Sequence, residues 1–131
     1  MKKLNFDTGI EAYKLGSGVL RFNPADPNVY IRFRDAAESM AQLEQDMAQA
    51  AAGENADLLD ILRRTDMAIK QNLNQVFGPG NDFDALVDGV NLLSAASDGR
   101  TVAAHLFEAL EPVLLQGAKR CAQAQAAAMD R

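Results

Sequence analysis

Residues 20–33, which read LRFNPADPNVYIRF, decide the fold because strand chemistry gives way to helix chemistry within them. Pro24 and Pro27 fix φ and lack a backbone donor, and each moves the residue before it out of the α region. Asn23 and Asp26 are therefore expected to be extended, which makes the segment a stiff turn. We expect these four residues to determine the fold rather than to contact a partner.

The chain on both sides of this turn has the pattern of a small β unit that covers residues 2–33. Leu4 and Phe6 alternate with polar neighbours, and residues 16–18, Gly-Ser-Gly, are a tight hairpin signal. After the turn, residues 29–33 are rich in β-branched and aromatic side chains. The pattern predicts a β-hairpin or meander of three or four short strands, which needs helices to pack against.

Beyond the β unit the apolar residues have helical spacing, and the pattern predicts four helices. Asp35 and Glu38 have the spacing of a capping box at the start of the first helix. Thr101 is the predicted N-cap of the last helix, and Pro112 should kink that helix because an interior proline removes a hydrogen bond. The predicted helices cover, in order, about residues 35–52, 55–77, 82–95 and 101–127.

A second turn separates the second predicted helix from the third. It consists of Phe77, Gly78, Pro79 and Gly80, and both glycine and proline end helices. We expect these residues, too, to determine the fold. The predicted fold class is α+β and predominantly α, in a single domain over residues 1–131 that combines the β unit (2–33) with a helical unit (35–131).

Composition narrows the classes of partner. The 131 residues carry a formal net charge of −5 and the basic residues are scattered, which argues against nucleic acid. A lone cysteine, Cys121, cannot form an intrachain disulfide, so we expect a reducing compartment. No window approaches the roughly 18 apolar residues of a membrane-spanning helix. We therefore expect an intracellular protein that binds neither nucleic acid nor membrane.

No arrangement of side chains in the sequence predicts catalysis, a metal site or a cofactor. The acidic run at residues 81–89 lacks the ligand, glycine and glutamate positions of a calcium loop. The Gly-rich turns at residues 16–18 and 78–80 match no phosphate-binding fingerprint. His105, the sole histidine, lies about 24 Å from Cys121 along one straight helix, too far for a nucleophilic pair. The sequence predicts a protein that is not an enzyme.

Helical faces are the candidates for protein contacts. Met40 and Met47 lie seven residues apart on one face, and we favour core packing over an adaptable partner-binding strip. The Ala- and Gln-rich residues 118–129 are a better candidate for contact with another helix. The residues predicted to mediate self-association or client binding, all on the final helix, are Leu114, Leu115 and Cys121.

Two blocks of the sequence, taken in order, resemble a known family. The first block consists of FDTG at residues 6–9 and LRFNPADPN at residues 20–28. The second consists of VFGPG at 76–80, GVNLL at 89–93, DGRT at 98–101 and FEALEP at 107–112. Together they resemble the small tail assembly chaperones encoded by long-tailed, non-contractile phages and by prophages of Gram-positive bacteria.

The resemblance implies a non-catalytic function in the host cytoplasm. Chaperones of this family associate with themselves and coat the long, largely helical tape measure protein until tail tube subunits polymerise around it. In many relatives a ribosomal frameshift adds a C-terminal domain that recruits the tube protein. The resemblance thus implies a homo-oligomer whose partners are the tape measure and tail tube proteins, and which is absent from the mature virion.

The alternative is a structural virion component, such as a tail-completion or head–tail connector subunit. A structural subunit stays in the finished particle at a fixed stoichiometry, whereas a chaperone of this family does not. A small enzyme is disfavoured by the missing side-chain arrangements, and a DNA-binding regulator by the acidic charge.

Overall fold

The computed structural model describes residues 1–130, which form a two-stranded hairpin followed by four helices. The predicted fold class, α+β and predominantly α, is confirmed. The strands are β1 (Glu11–Leu15) and β2 (Gly18–Phe22), and the helices are α1 (Pro27–Ala51), α2 (Leu58–Phe77), α3 (Phe83–Leu86) and α4 (Val102–Met129).

The hairpin predicted at residues 16–18 is confirmed. β1 and β2 pair antiparallel, with Glu11 opposite Phe22 and Leu15 opposite Gly18. Gly16 provides the left-handed backbone that the turn needs, at φ 59°. Leu20 and Phe22 alternate with exposed neighbours and are buried, so β2 places one face of the hairpin against the helices.

The further strands predicted in residues 2–33 are wrong. Residues 1–10 lie outside every strand and helix, and residues 29–33 belong to the first turns of α1. Asp26 is the N-cap of this helix, and its carboxylate accepts a hydrogen bond from the Asn28 N–H at 2.9 Å. Pro27 occupies the first helical position, where its missing donor costs nothing. The extended conformation that proline imposes on Asp26 is thus the conformation an N-cap requires.

The predicted boundaries of the first two helices need correction. α1 begins eight residues before Asp35, so Asp35 and Glu38 do not cap it but lie exposed within it. α2 begins at Leu58 rather than near residue 55, because Asp57 is the N-cap and accepts from the Asp60 N–H at 3.1 Å. Its predicted end at residue 77 is confirmed.

The third helix, predicted over residues 82–95, is wrong beyond its first turn. α3 has only four residues, with Asp82 as its N-cap. Asp88 and Gly89 then take positive φ angles of 55° and 72°, a conformation that ends a right-handed helix. The chain continues through turns that bury Leu92, while Val90 stays 42% exposed.

The fourth helix begins as predicted, and the Thr101 hydroxyl accepts from the Ala104 N–H at 3.1 Å. α4 continues through Pro112 to Met129. A kink at Pro112 stays a prediction.

One hydrophobic core lies between the hairpin, α3 and the three long helices. α1 packs against α2 and α4, and α3 packs against α2 and β2. Within residues 1–130, no helix is long and apolar enough to cross a membrane. The largest fully buried side chains of the core are Leu20, Ile69, Leu73, Val76, Phe83, Leu92 and Leu114.

Candidate interaction surfaces

The first proline turn joins the hairpin to α1 and also contacts α4. The Asn23 side chain accepts from the Ala25 N–H at 2.9 Å and donates to the Thr8 carbonyl at 3.0 Å. Gly117 of α4 lies against Pro24 so closely that a Cβ there would be 1.7 Å from the Pro24 carbonyl oxygen. The turn therefore contacts both Thr8 and α4, and its role in determining the fold stays a prediction.

The second turn is held to the hairpin by aromatic rings. The Phe77 ring lies 5.0 Å from that of Phe22, edge to face, and 5.4 Å from that of Phe83. Tyr13 extends the series by stacking on Phe22 at 4.9 Å. After Phe77, the chain reverses through Gly78, with φ 84°.

Asn81, directly after this turn, supplies the polar contacts that sequence reasoning missed. Its side-chain oxygen accepts from the Arg21 N–H at 3.0 Å, and its amide donates to the Arg21 carbonyl at 2.8 Å. The same amide donates to the Phe77 carbonyl at 3.1 Å. A buried asparagine thus satisfies the edge of β2, and no local pattern indicates a partner 60 positions away.

An ion network, in which Lys70 and Asp66 are buried and Asp84 is exposed, connects α2, α3 and the irregular segment after α3. The Lys70 ammonium donates to Asp66 at 2.9 Å and to Asp84 at 2.7 Å, and the other oxygen of Asp66 accepts from the Leu92 N–H at 2.7 Å. Burial, the largest single influence, lowers the pKa of Lys70, but the bonds to Asp84 and Asp66 together raise it above its ordinary value. Because each buried charge has a partner, the network fixes how the segment carrying Leu92 is placed.

His105 belongs to a solvent-exposed group of four charged or titratable side chains. Its ring lies 2.9 Å from the Asp98 carboxylate, and Arg100 forms a two-pronged ion pair with Glu108. The hydrogen bond with His105 lowers the pKa of Asp98, and the Arg100 guanidinium lowers that of Glu108. Within residues 1–130 no three His, Cys, Asp or Glu side chains are placed to hold a metal ion. The Asp98–His105 and Arg100–Glu108 pairs connect the turn before α4 to the first turns of α4.

The three residues predicted to contact partners differ in exposure. Leu114 is only 1% exposed and belongs to the core, so its side chain does not lie on a surface. Leu115 and Cys121 are half-buried, and their role in association stays a prediction. Beyond Gly117 no residue of α4 up to Met129 is buried, so this helix extends past the core for about 18 Å.

Exposed apolar side chains are concentrated in two further places. Residues 1–10, which we call the arm, leave Leu4, Phe6 and Ile10 in solvent. At the other end of the molecule lie residues 37–60, which we call the distal end. There Leu59 is 80% exposed and Met47 half-buried, whereas Met40, nearer the hairpin, packs against the core as predicted.

Comparison with family models, curated proteins and solved structures gave no match.

Proposed function

We propose that this protein is a non-enzymatic tail assembly chaperone that associates with itself and coats the tape measure protein during tail morphogenesis. The proposal starts from the resemblance carried by the two proline and glycine turns. The observation that supports it best is the number of large apolar side chains left in solvent, at the arm, the distal end and the end of α4. Exposed apolar surface of this extent is typical of proteins that bind other proteins.

The free part of α4 is the surface that we assign to the client. Residues 118–129 consist largely of alanine and glutamine, and all are exposed or half-buried. Small side chains allow another helix to approach closely, and the tape measure protein of such phages is largely helical. Many weak contacts of this kind, repeated along a long client, add up to tight binding through multivalency.

Co-expression with helical segments of the tape measure protein from the same locus tests this assignment. We expect the wild-type chain to keep such a segment soluble, and Ala124→Glu on the free part of α4 to leave it insoluble, because a buried charge there opposes helix contact. Ala41→Glu, at an exposed position of α1, is the matched control and should keep the client soluble. Client that is insoluble with the wild-type chain would contradict the proposal.

Analysis of finished particles distinguishes the chaperone from a structural subunit. A chaperone should be recovered with the tape measure protein from producing cells and be missing from purified virions. Recovery of the chain from virions at a fixed stoichiometry would instead support a tail-completion or connector subunit.

A further inference from the structure

The arm carries an apolar pair beside two positive charges. Leu4 is 89% exposed and Phe6 81% exposed, so folding of one chain leaves both outside the core. In an extended chain these two side chains point to the same side, because alternate residues share a face. Lys2 and Lys3 precede them directly. The arm thus combines an apolar anchor with a basic end.

The base of the arm is fixed at the hairpin end of the molecule. The Thr8 carbonyl accepts from the Asn23 side chain at 3.0 Å, and the Gly9 N–H donates to the Asp7 carboxylate at 2.7 Å. Thr8 lines the same cleft as Phe77, the last residue of α2, and Pro79. Only the residues before Asp7 can therefore change position freely without breaking these bonds.

A groove of chemistry complementary to the arm lies near the distal end, between α1 and α2. Its volume is about 220 Å³, and its apolar lining comes from Leu43, Met47, Ala50, Ile61 and Ala68. Methionine adapts its shape to an incoming side chain, which suits a groove that receives a ring. Ile61 is 8% exposed, so the groove rests on the core.

The segments of α1 and α2 that form the groove carry net negative charge. Residues 35–62 contain seven acidic residues and no lysine, arginine or histidine. The two arginines that follow, Arg63 and Arg64, are both paired with Asp60, at 2.7 and 2.9 Å. Asp46 and Arg64 both line the groove itself. A basic segment is therefore attracted to this end of the molecule, and an acidic one is repelled.

Phe6 cannot reach the groove of its own chain. The lining residue nearest to Phe77, Ala68, lies nine residues before it on α2, a distance of about 14 Å along the helix. Phe6 is two residues from Thr8, so an extended chain carries it only about 7 Å from that fixed point. We propose that the arm of one copy binds in the α1–α2 groove of a second copy, with Phe6 and Leu4 as anchors and Lys2 and Lys3 against the acidic residues.

This interface joins two different surfaces, so it is heterologous. Each copy has a free arm and a free groove, and successive copies therefore form either a ring or an open chain. The inference rests on the self-association in the proposed function, but it does not depend on which client is coated. An assembly that grows in this way leaves the free part of α4 available on each copy.

Sedimentation of single variants tests the interface first. We expect Phe6→Asp to weaken self-association by about 100-fold or more, because a buried phenylalanine is replaced by a charge. Ala50→Arg should act similarly by filling the groove from an exposed position. Asn5→Gln on the arm and Ala48→Gln on α1 are the uncharged controls, and both should leave the assembly size unchanged. Circular dichroism should show the same helix content in all four variants.

Mixing the two blocked variants gives the sharpest result. Phe6→Asp keeps a working groove and Ala50→Arg keeps a working arm, so an equimolar mixture should form dimers that do not grow further. Lys2→Glu with Lys3→Glu should weaken assembly, and added salt should weaken that of the wild-type chain, since screening reduces attraction between exposed charges.

Three outcomes would overturn the interface. They are unchanged assembly of Phe6→Asp, a mixture that remains monomeric, and a wild-type chain that is monomeric at all concentrations. If assembly is lost in Phe6→Asp while a wild-type oligomer fails to keep the tape measure segment soluble, the interface stands and the proposed client is wrong. If the client is kept soluble while the arm and groove variants leave the assembly size unchanged, the proposed client stands and the interface is wrong.

Discussion

The two ends of α1 have the same secondary structure but different surroundings. Its buried residues, Val29, Phe33 and Ala36, all lie in the first ten positions and belong to the core that also includes residues of the hairpin and α4. Its remaining fifteen residues include no buried side chain, although Ala37, Met40 and Leu43 pack against the core from partly buried positions. Burial is what stabilises a helix in a protein, so the hairpin end should determine stability. The distal end should contribute less.

α4 repeats this division. Its buried residues end at Gly117, and the twelve residues that follow to Met129 are exposed or half-buried. The two ends also differ in charge: the arm is basic, and the distal end of α1 and α2 is acidic. A small domain that concentrates its core at one end can therefore present long helical surfaces at the other, at the expense of stability there.

Alanine substitution at two positions of α1 tests the comparison most strongly. Phe33→Ala removes a ring that is 3% exposed and lies 5.2 Å from the Phe107 ring, and should lower the free energy of unfolding by about 3–5 kcal/mol. Met47→Ala, fourteen positions later and half-buried, should lower it by about 1 kcal/mol or less. Urea unfolding followed by circular dichroism measures both. Equal losses would contradict the division of α1.

The contact between the first turn and α4 should be nearly as sensitive. Gly117→Ala places a methyl group against the Pro24 carbonyl, so α4 must shift and the free energy of unfolding should fall by about 3 kcal/mol. Gly53→Ala is the matched control at the distal end, where the nearest atom to an added Cβ is 3.4 Å away. It should change stability by only a few tenths of a kcal/mol. A tolerated Gly117→Ala would show that α4 is not held by this turn.

Local sequence signals predicted most of the elements but misread the transition between them. Pro27 places Asp26 in an extended conformation. That conformation fits the predicted turn between strands, but it is also the conformation of a helix N-cap. Val29 and Phe33 have strand-forming side chains but a helical spacing of four, and both are buried. Packing against the core thus overrides intrinsic strand propensity.

The end of α3 shows a second kind of error. Apolar periodicity extended the predicted helix to residue 95, whereas Asp88-Gly89 is a turn dipeptide that the structure uses as a turn. The contacts that fix this region link residues distant in sequence, such as Asp66 with Leu92 and Asn81 with Arg21. Only the Asp66–Lys70 pair, four residues apart on one helix, has a local signal that could have indicated the network.

Replacing the buried Lys70 should lower the free energy of unfolding because an ion pair is lost, and not because packed volume is lost. Lys70→Met leaves Asp66 buried without its ion partner and should lower the free energy of unfolding by about 2 kcal/mol at pH 7. Lys14→Met, on exposed β1, is the control. Because folding raises the pKa of Lys70, its contribution is complete below 10.5 and is lost as the pH rises through the higher folded value. The wild-type chain should therefore lose more stability above pH 10.5 than Lys70→Met does.

The exposed pairs at the start of α4 should have the smallest effect. Folding lowers the pKa of Asp98, chiefly through the bond with His105, so its contribution is present above pH 3.8 and is lost as the pH falls through the lower folded value. Asp98→Asn should lower the melting temperature slightly at pH 5–7, and the difference should disappear below the folded pKa. Because added salt screens exposed ion pairs, 0.5 M salt should also reduce the difference in melting temperature. A loss of melting temperature that does not depend on salt would mean that Asp98 acts through its hydrogen bond from the Arg100 N–H.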